Sequence, residues 1–323
     1  MEFFKTDKIY NFMGKRLPFM ALSAFMVLLS LGILFSKGLN FGIDFAGGTL
    51  VQVKYEQPAP IKDIREILKQ HDKFSNAVIS EFGSKEEVVI RITGSSTTLG
   101  TDIGDQVAEL LKATGNFEIR RVDMVGPKVG DELREKGLMA LGLSLFVILL
   151  YVSFRFEWRF AVASILALIH DVTIALGAIA LFRIDVNLDI LAAILTILGY
   201  SLNDTIIVFD RIREGVTDSK ESDLNQVVND SVSKTLSRTT LTSLTTFFVV
   251  ITLFAFGGEI IHGFAFTMVV GIVVGTYSSI FIAASFLVQL KFSISDFRNK
   301  EAEKLKRQKE KDKLRAMYEQ GTI

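Results

Sequence analysis

The chain has 323 residues, is 49% hydrophobic with a mean hydropathy of +0.38, and balances 36 Lys and Arg against 36 Asp and Glu. It is too apolar for an ordinary soluble domain, and its apolar residues fall in long runs, so the class is a polytopic α-helical membrane protein. The net charge of +0 gives no argument for nucleic acid. The absence of cysteine excludes disulfides and cysteine-based zinc or iron–sulfur sites, and the sequence holds neither an H-E-x-x-H metal motif nor a Gly-x-x-x-x-Gly-Lys-Ser/Thr loop for ATP.

Residues 1–16 are polar, with Lys5, Lys8, Lys15 and Arg16, and lead into the apolar run Leu17–Phe35. A cleaved signal peptide has an apolar core of about 7–15 residues and an A-x-A-like cleavage site. This run is longer and no such site follows, so residues 1–36 read as a tail and a first transmembrane helix.

Residues 37–136 change character. Thr49–Tyr55 is β-type, and Pro60–His71 places Ile61, Ile64, Ile67 and Leu68 at helical spacing. Ala77–Phe82 and Glu87–Thr93 are strands separated by Gly83-Ser84-Lys85. Thr101–Ala113 is an amphipathic helix, and Phe117–Val125 a last strand. The order β-α-β-β-α-β predicts one small α+β domain of ferredoxin-like pattern. Its charged residues read as solvated faces, without a catalytic constellation.

Five further apolar runs occupy residues 137–290: Leu138–Phe154, Phe160–Phe182, Leu188–Phe209, Thr239–Phe256 and Ile260–Leu290. The last exceeds one span, so it is tilted or continues past the bilayer. Its Gly271-x-x-x-Gly275 step permits close helix packing. Residues 291–323 are a charged tail, in which Lys291–Arg315 reads as an exposed helix for solubility, headgroup contact or a cytoplasmic partner. With six spans, the Lys and Arg of the N-terminus, of Arg155 and Arg159, of the 211–238 segment (Lys220 included) and of the tail all lie on one side. That side is then cytoplasmic, and residues 37–136 are extracytoplasmic.

One carboxyl stands out. Asp204 lies inside an apolar run, about 9 Å of helix before Asp210 and Arg211 reach water. Asn203 and Thr205 flank it and Ser201 stands one turn before Thr205; together they read as side chains that hydrogen-bond or wet the site. Burying an ionised Asp there costs about 2.5–3.5 kcal/mol, which calls for a partner, water or a proton. Arg238, opening a hydroxyl-rich run, is the expected counter-charge, and the pair reads either as a switch or as a static polar bolt. His170-Asp171 in mid-span is either a second titratable site or a structural pair.

These residues carry a resemblance. Phe41–Thr49, with Asp44, Phe45, Gly47 and Gly48, resembles the D-F-x-G-G motif of the SecF family, the smaller partners of SecD in the bacterial Sec export machinery. Val125–Gly130, with Gly126, Pro127 and Gly130, resembles its G-P-x-V-G motif. Ser201–Glu214, with Asp210 and Arg211, looks like its fourth-helix signature, and Leu236–Thr239 like its arginine segment. The resemblance implies a six-helix half of a resistance–nodulation–division-like assembly in the bacterial cytoplasmic (inner) membrane. SecD would be its obligate partner, and the pair would assist the SecYEG channel and its accessory subunits in exporting unfolded polypeptide. It implies the proton-motive force as the drive, with Asp204 and Arg238 responding to protons, no other cofactor and no enzymatic activity. A proton-coupled small-molecule exporter half and a passive scaffold of the translocon are the alternatives.

Overall fold

In hydrocarbon every backbone N–H and C=O must find its partner within the segment, so each long apolar run becomes a helix. The computed structural model describes residues 8–92, 103–218, 221 and 223–319, and among these it has six helices long and apolar enough to span a bilayer. They are α1 (Arg16–Lys37, entered by a 3-10 turn at Met13–Lys15), α5 (Pro127–Arg155), α6 (Trp158–Leu181), α7 (Leu188–Asp218), α8 (Leu224–Phe256) and a last helical segment, Glu259–Gln289. That last segment is α9 (Glu259–Ser278), a π-helical turn at Ser279–Ala283 and α10 (Ala284–Gln289). The segment keeps its 31 residues, longer than one perpendicular span needs, and the π-turn inserts a local extra residue within it. Lys5 and Lys220, and the ends of two predicted elements at Thr93 and Thr101, lie outside the described residues.

Between α1 and α5 the chain forms β1 (Asn40–Phe41), α2 (Ile43–Ala46), β2 (Gly48–Tyr55), α3 (Ile61–Lys69), β3 (Val78–Phe82), β4 (Ser84–Ile92), α4 (Ile103–Leu111) and β5 (Phe117–Val125). The antiparallel sheet has the order β3-β4-β2-β5, which is the ferredoxin-like arrangement of the predicted β-α-β-β-α-β unit. Alternate residues Val51, Val53 and Tyr55 of β2 and Val88, Ile90 and Ile92 of β4 meet Ile64, Leu68, Val107 and Leu111 of the two helices in one core. The expected boundary at 136/137 falls inside a helix. Gly126 caps α5 and Pro127 starts it, because proline's fixed φ suits a first helical position, so the helix begins ten residues before that boundary.

A short strand, β6 (Asp185–Val186), between α6 and α7 pairs in parallel with β1. It lies at the foot of the α+β domain. Near it the D-F-x-G-G residues pack against the start of α5. Gly47 has φ +69° and Gly130 faces it; a Cβ on Gly47 would lie 2.8 Å from Pro127 Cα, and one on Gly130 2.9 Å from Gly47 N. Only glycine suits both the left-handed backbone and the close approach. Phe45 fills the space with Ile179, Val186, Ile190 and Ile194.

In the membrane region α6, α7 and α9 form the buried centre, while α1, α5 and α8 expose apolar faces through residues such as Phe25, Leu143, Phe146 and Phe248. The Gly271–Gly275 step does bring helices together. A Cβ on Gly271 would collide with Ile197, and one on Gly275 would lie 3.1 Å from Ser201 Cβ. At the opposite end from the α+β domain, Phe160 meets Phe209 and Phe292 edge-on at 5.1 and 5.0 Å, and α11 (Ile294–Glu319) leaves as an exposed charged helix. Arg298 secures its start by donating to the carbonyls of Val216 and Glu221, both at 2.7 Å.

Candidate functional site

Two buried carboxyls lie in the membrane region on neighbouring helices. Asp204, on α7, is 1% exposed. Its Oδ2 accepts a hydrogen bond from Ser243 Oγ of α8 at 3.0 Å. Its Oδ1 has no partner in the protein, and neither do the buried hydroxyls of Thr205 and Thr239. Thr239 and Ser243 are four residues apart on α8 and so share the face turned toward α7. Buried polar atoms without a partner are uncommon, and several around one carboxyl mark a place suited to water or an added proton.

The second carboxyl, Asp171 on α6, is fully buried and fully bonded. Oδ1 lies 2.8 Å from His170 Nδ1; Oδ2 accepts from Ser201 Oγ of α7 at 2.5 Å and Ser278 Oγ of α9 at 2.7 Å. The His170 ring is 6.3 Å from that of Tyr277, whose hydroxyl donates to the Phe19 carbonyl of α1 at 2.7 Å. Asp171 thereby ties three helices directly and reaches a fourth through the aromatic contact. The only orphaned side-chain atom in this cluster among the described residues is His170 Nε2.

Three sequence expectations need revision. Arg238 forms no ion pair with Asp204. Five residues separate it from Ser243, about 7.5 Å along α8 and about 140° around it. Its exposed side chain therefore lines a cavity of about 740 Å³ at the α7–α8 ends, beside Asp210, Arg211 and Lys234. Asn203 is exposed on the far side of α7, because adjacent helical residues point about 100° apart. Ser201, expected to serve Asp204, serves Asp171. The motif residues Asp210 and Arg211 find other partners: Asp210 lies 3.5 Å from Arg155, and Arg211 donates to Glu214 at 2.5 Å.

Sequence reasoning also missed Ser243 and Ser278 as partners, since each joins its carboxylate from another helix. The available signal was position: Ser243 lies four residues after Thr239 on a hydroxyl-rich run, and Ser278 three after Gly275. The family-motif residues Asp44, Gly126 and Gly130 are structural here. Asp44 Oδ2 accepts from Leu188 N at 3.0 Å, at the start of α7.

Residues 106–293 match the family described as protein export membrane protein SecD/SecF, C-terminal, and residues 32–59 match the SecD/SecF GG motif. The protein translocase subunit SecF of Helicobacter pylori strain J99 is 50% identical over 323 residues, the full length of both chains. The chain belongs to the SecF family of protein translocase subunits. The SecF of Vibrio alginolyticus is 45% identical over 90% of this chain and 92% of its own. Among solved structures, SecDF of Thermus thermophilus, a translocon-associated membrane protein, superposes with a TM-score of 0.80 at 37% identity over 88% of this chain. A SecDF in a super-membrane-facing form gives 0.66 at 36% identity over 92%. The chain spans 39% and 40% of those two SecDF proteins. The family match and the six spans make this a multi-pass inner-membrane protein of the Sec pathway.

Proposed function

We propose that this chain pairs with a separate SecD and uses the proton-motive force to help the SecYEG channel complete export of unfolded polypeptide. Asp204 is the proton acceptor and hydrogen ion the only coupling species, with no chemical step catalysed by the chain. In this reading both termini are cytoplasmic and residues 37–136 face outward. The carrying observation is a buried carboxyl with one serine donor and one orphaned oxygen, joined across two helices, with unpartnered hydroxyls at the next residue, Thr205, and one turn from that serine, at Thr239.

Arg238 enters as the mobile arm. With Ser243 holding the carboxyl and Arg238 in the cavity, the guanidinium and the acid stand apart, one of the two arrangements a charge switch needs. Helix movement that brings Arg238 toward Asp204 favours the ionised form; separation favours the protonated one. Asp171, fully bonded, serves as the polar bolt that keeps α6, α7 and α9 in register.

The test is late-stage, ATP-independent export in cells carrying Asp204→Asn, with and without a pH gradient. The expected result is loss of the gradient-dependent part with SecD binding intact. Normal gradient-driven export by Asp204→Asn would end the proposal, and failure only through lost complex assembly would favour a scaffold.

A further inference from the structure

The outer domain reaches the membrane helices by a contact that chain connectivity does not require. Arg91, on β4, is buried with its side chain 8% exposed. Its guanidinium faces Asp185 of β6 with both nitrogens: Nη1 donates to Oδ1 at 2.9 Å and Nη2 to Oδ2. The amide of Asn40 donates to the same Oδ1. Burial works against the Arg91 charge, lowering its pKa from the ordinary value, so only a well-bonded anion holds the group there.

Asp185 is three residues before the first residue of α7. Around it, Gly42 N donates to the Val186 carbonyl at 2.8 Å, and Asp44 receives the Leu188 amide at 3.0 Å. These bonds make β1, α2, β6 and the start of α7 one unit. Arg91 belongs to none of those elements. It stands in the second strand of the outer sheet, opposite Leu50 of β2 and Val78 of β3. A bidentate arginine–carboxylate pair fixes both distance and angle, which a single hydrogen bond does not.

We propose that Arg91 is a coupling residue: its bidentate pair with Asp185 fastens the outer sheet to the start of the helix carrying Asp204, so that displacement of α7 is delivered to the outer domain. The inference rests on the proton-driven reading above and adds the part that transmits the motion.

The natural chain has no cysteine, so introduced thiols are unique in it. Arg91→Cys/Asp185→Cys is made in the full chain, joined to a cysteine-free SecD partner and placed in vesicles. Proton flux and export completion are read from the same preparation before linking, after linking with a short bifunctional methanethiosulfonate reagent, and after reduction. Before linking, flux is expected within twofold of the parent and export down at least tenfold; linking restores export, and reduction removes it again. Unlinked export within twofold of the parent overturns the proposal. So does export that stays lost after linking, or flux and export that fall together, which a merely structural role would produce. A parent complex without Asp204-dependent flux would instead sink the proton reading, while recovery of export on linking would still establish the coupling.

Discussion

Asp204 lies 16 residues after Leu188, the first residue of α7, which at 1.5 Å per residue is about 24 Å of helix. The hydrocarbon core is about 30 Å thick, so in the proposed orientation a proton entering from the outer side crosses roughly 0.8 of the membrane field to reach the carboxyl. One elementary charge crossing the whole field gains about 2.3 kcal/mol per 100 mV, and 0.8 of that is about 1.8 kcal/mol. At 1.4 kcal/mol per tenfold, 100 mV changes the occupancy of that site by about twentyfold. The perturbation is Asp204→Asn in the complex with its partner, and the assay is export completion in vesicles at equal pH on both sides. The potential is set by a potassium gradient and an ionophore. The parent should approach a twentyfold increase per 100 mV at low potential, and Asp204→Asn should be flat. A parent insensitive to potential but steeply sensitive to a pH gradient would refute the depth assigned here. A voltage slope retained in Asp204→Asn would refute the residue.

Two further expectations follow from the geometry. Asp171→Ala removes the acceptor that buried Ser201, Ser278 and His170 share, and should lower stability in detergent by at least about 1–3 kcal/mol. Asp171→Asn keeps an acceptor and should cost less; thermal unfolding of the two against Asp204→Asn separates bolt from switch. In the α+β domain burial raises the pKa of Tyr55 above 10.0, with the Thr114 hydrogen bond opposing. The neutral phenol's contribution is therefore complete below pH 10 and is lost as pH rises from the unfolded value toward the folded one. Chemical unfolding of the full chain from pH 8 to 11 should show an alkaline loss, followed by a signal from the α+β domain, that Tyr55→Phe removes.

Periodicity revealed the spans and the α+β domain because both patterns are local. Leu17–Phe35 is apolar along its length, and Phe117–Val125 matches the observed strand residue for residue. The carboxyls Asp204 and Asp171 could be singled out because each interrupts an apolar run. Their partners could not. Ser243 is 39 residues from Asp204, Ser278 is 107 from Asp171, and Asp185 is 94 from Arg91. Which hydroxyl reaches which acid depends on the rotation and register of packed helices, and a shift of one residue turns a side chain by about 100°. Arg238 illustrates this. Its residue type suits Asp204, yet its position on α8 carries it toward the cavity. Asn203 and Thr205 are equal neighbours in the sequence, but only Thr205 is buried beside the acid.

The junction of β5 and α5 has a mechanical consequence. Val125 ends the strand and Pro127 begins the helix, with Gly126 alone between them, so little slack separates the sheet from its longest attached rod. Twenty-nine residues make that rod about 43 Å long at 1.5 Å per residue. Pivoting by about 10° near Arg155 would swing its far tip by roughly 7 Å at that length, enough to carry the sheet's edge past more than one strand spacing of about 4.8 Å.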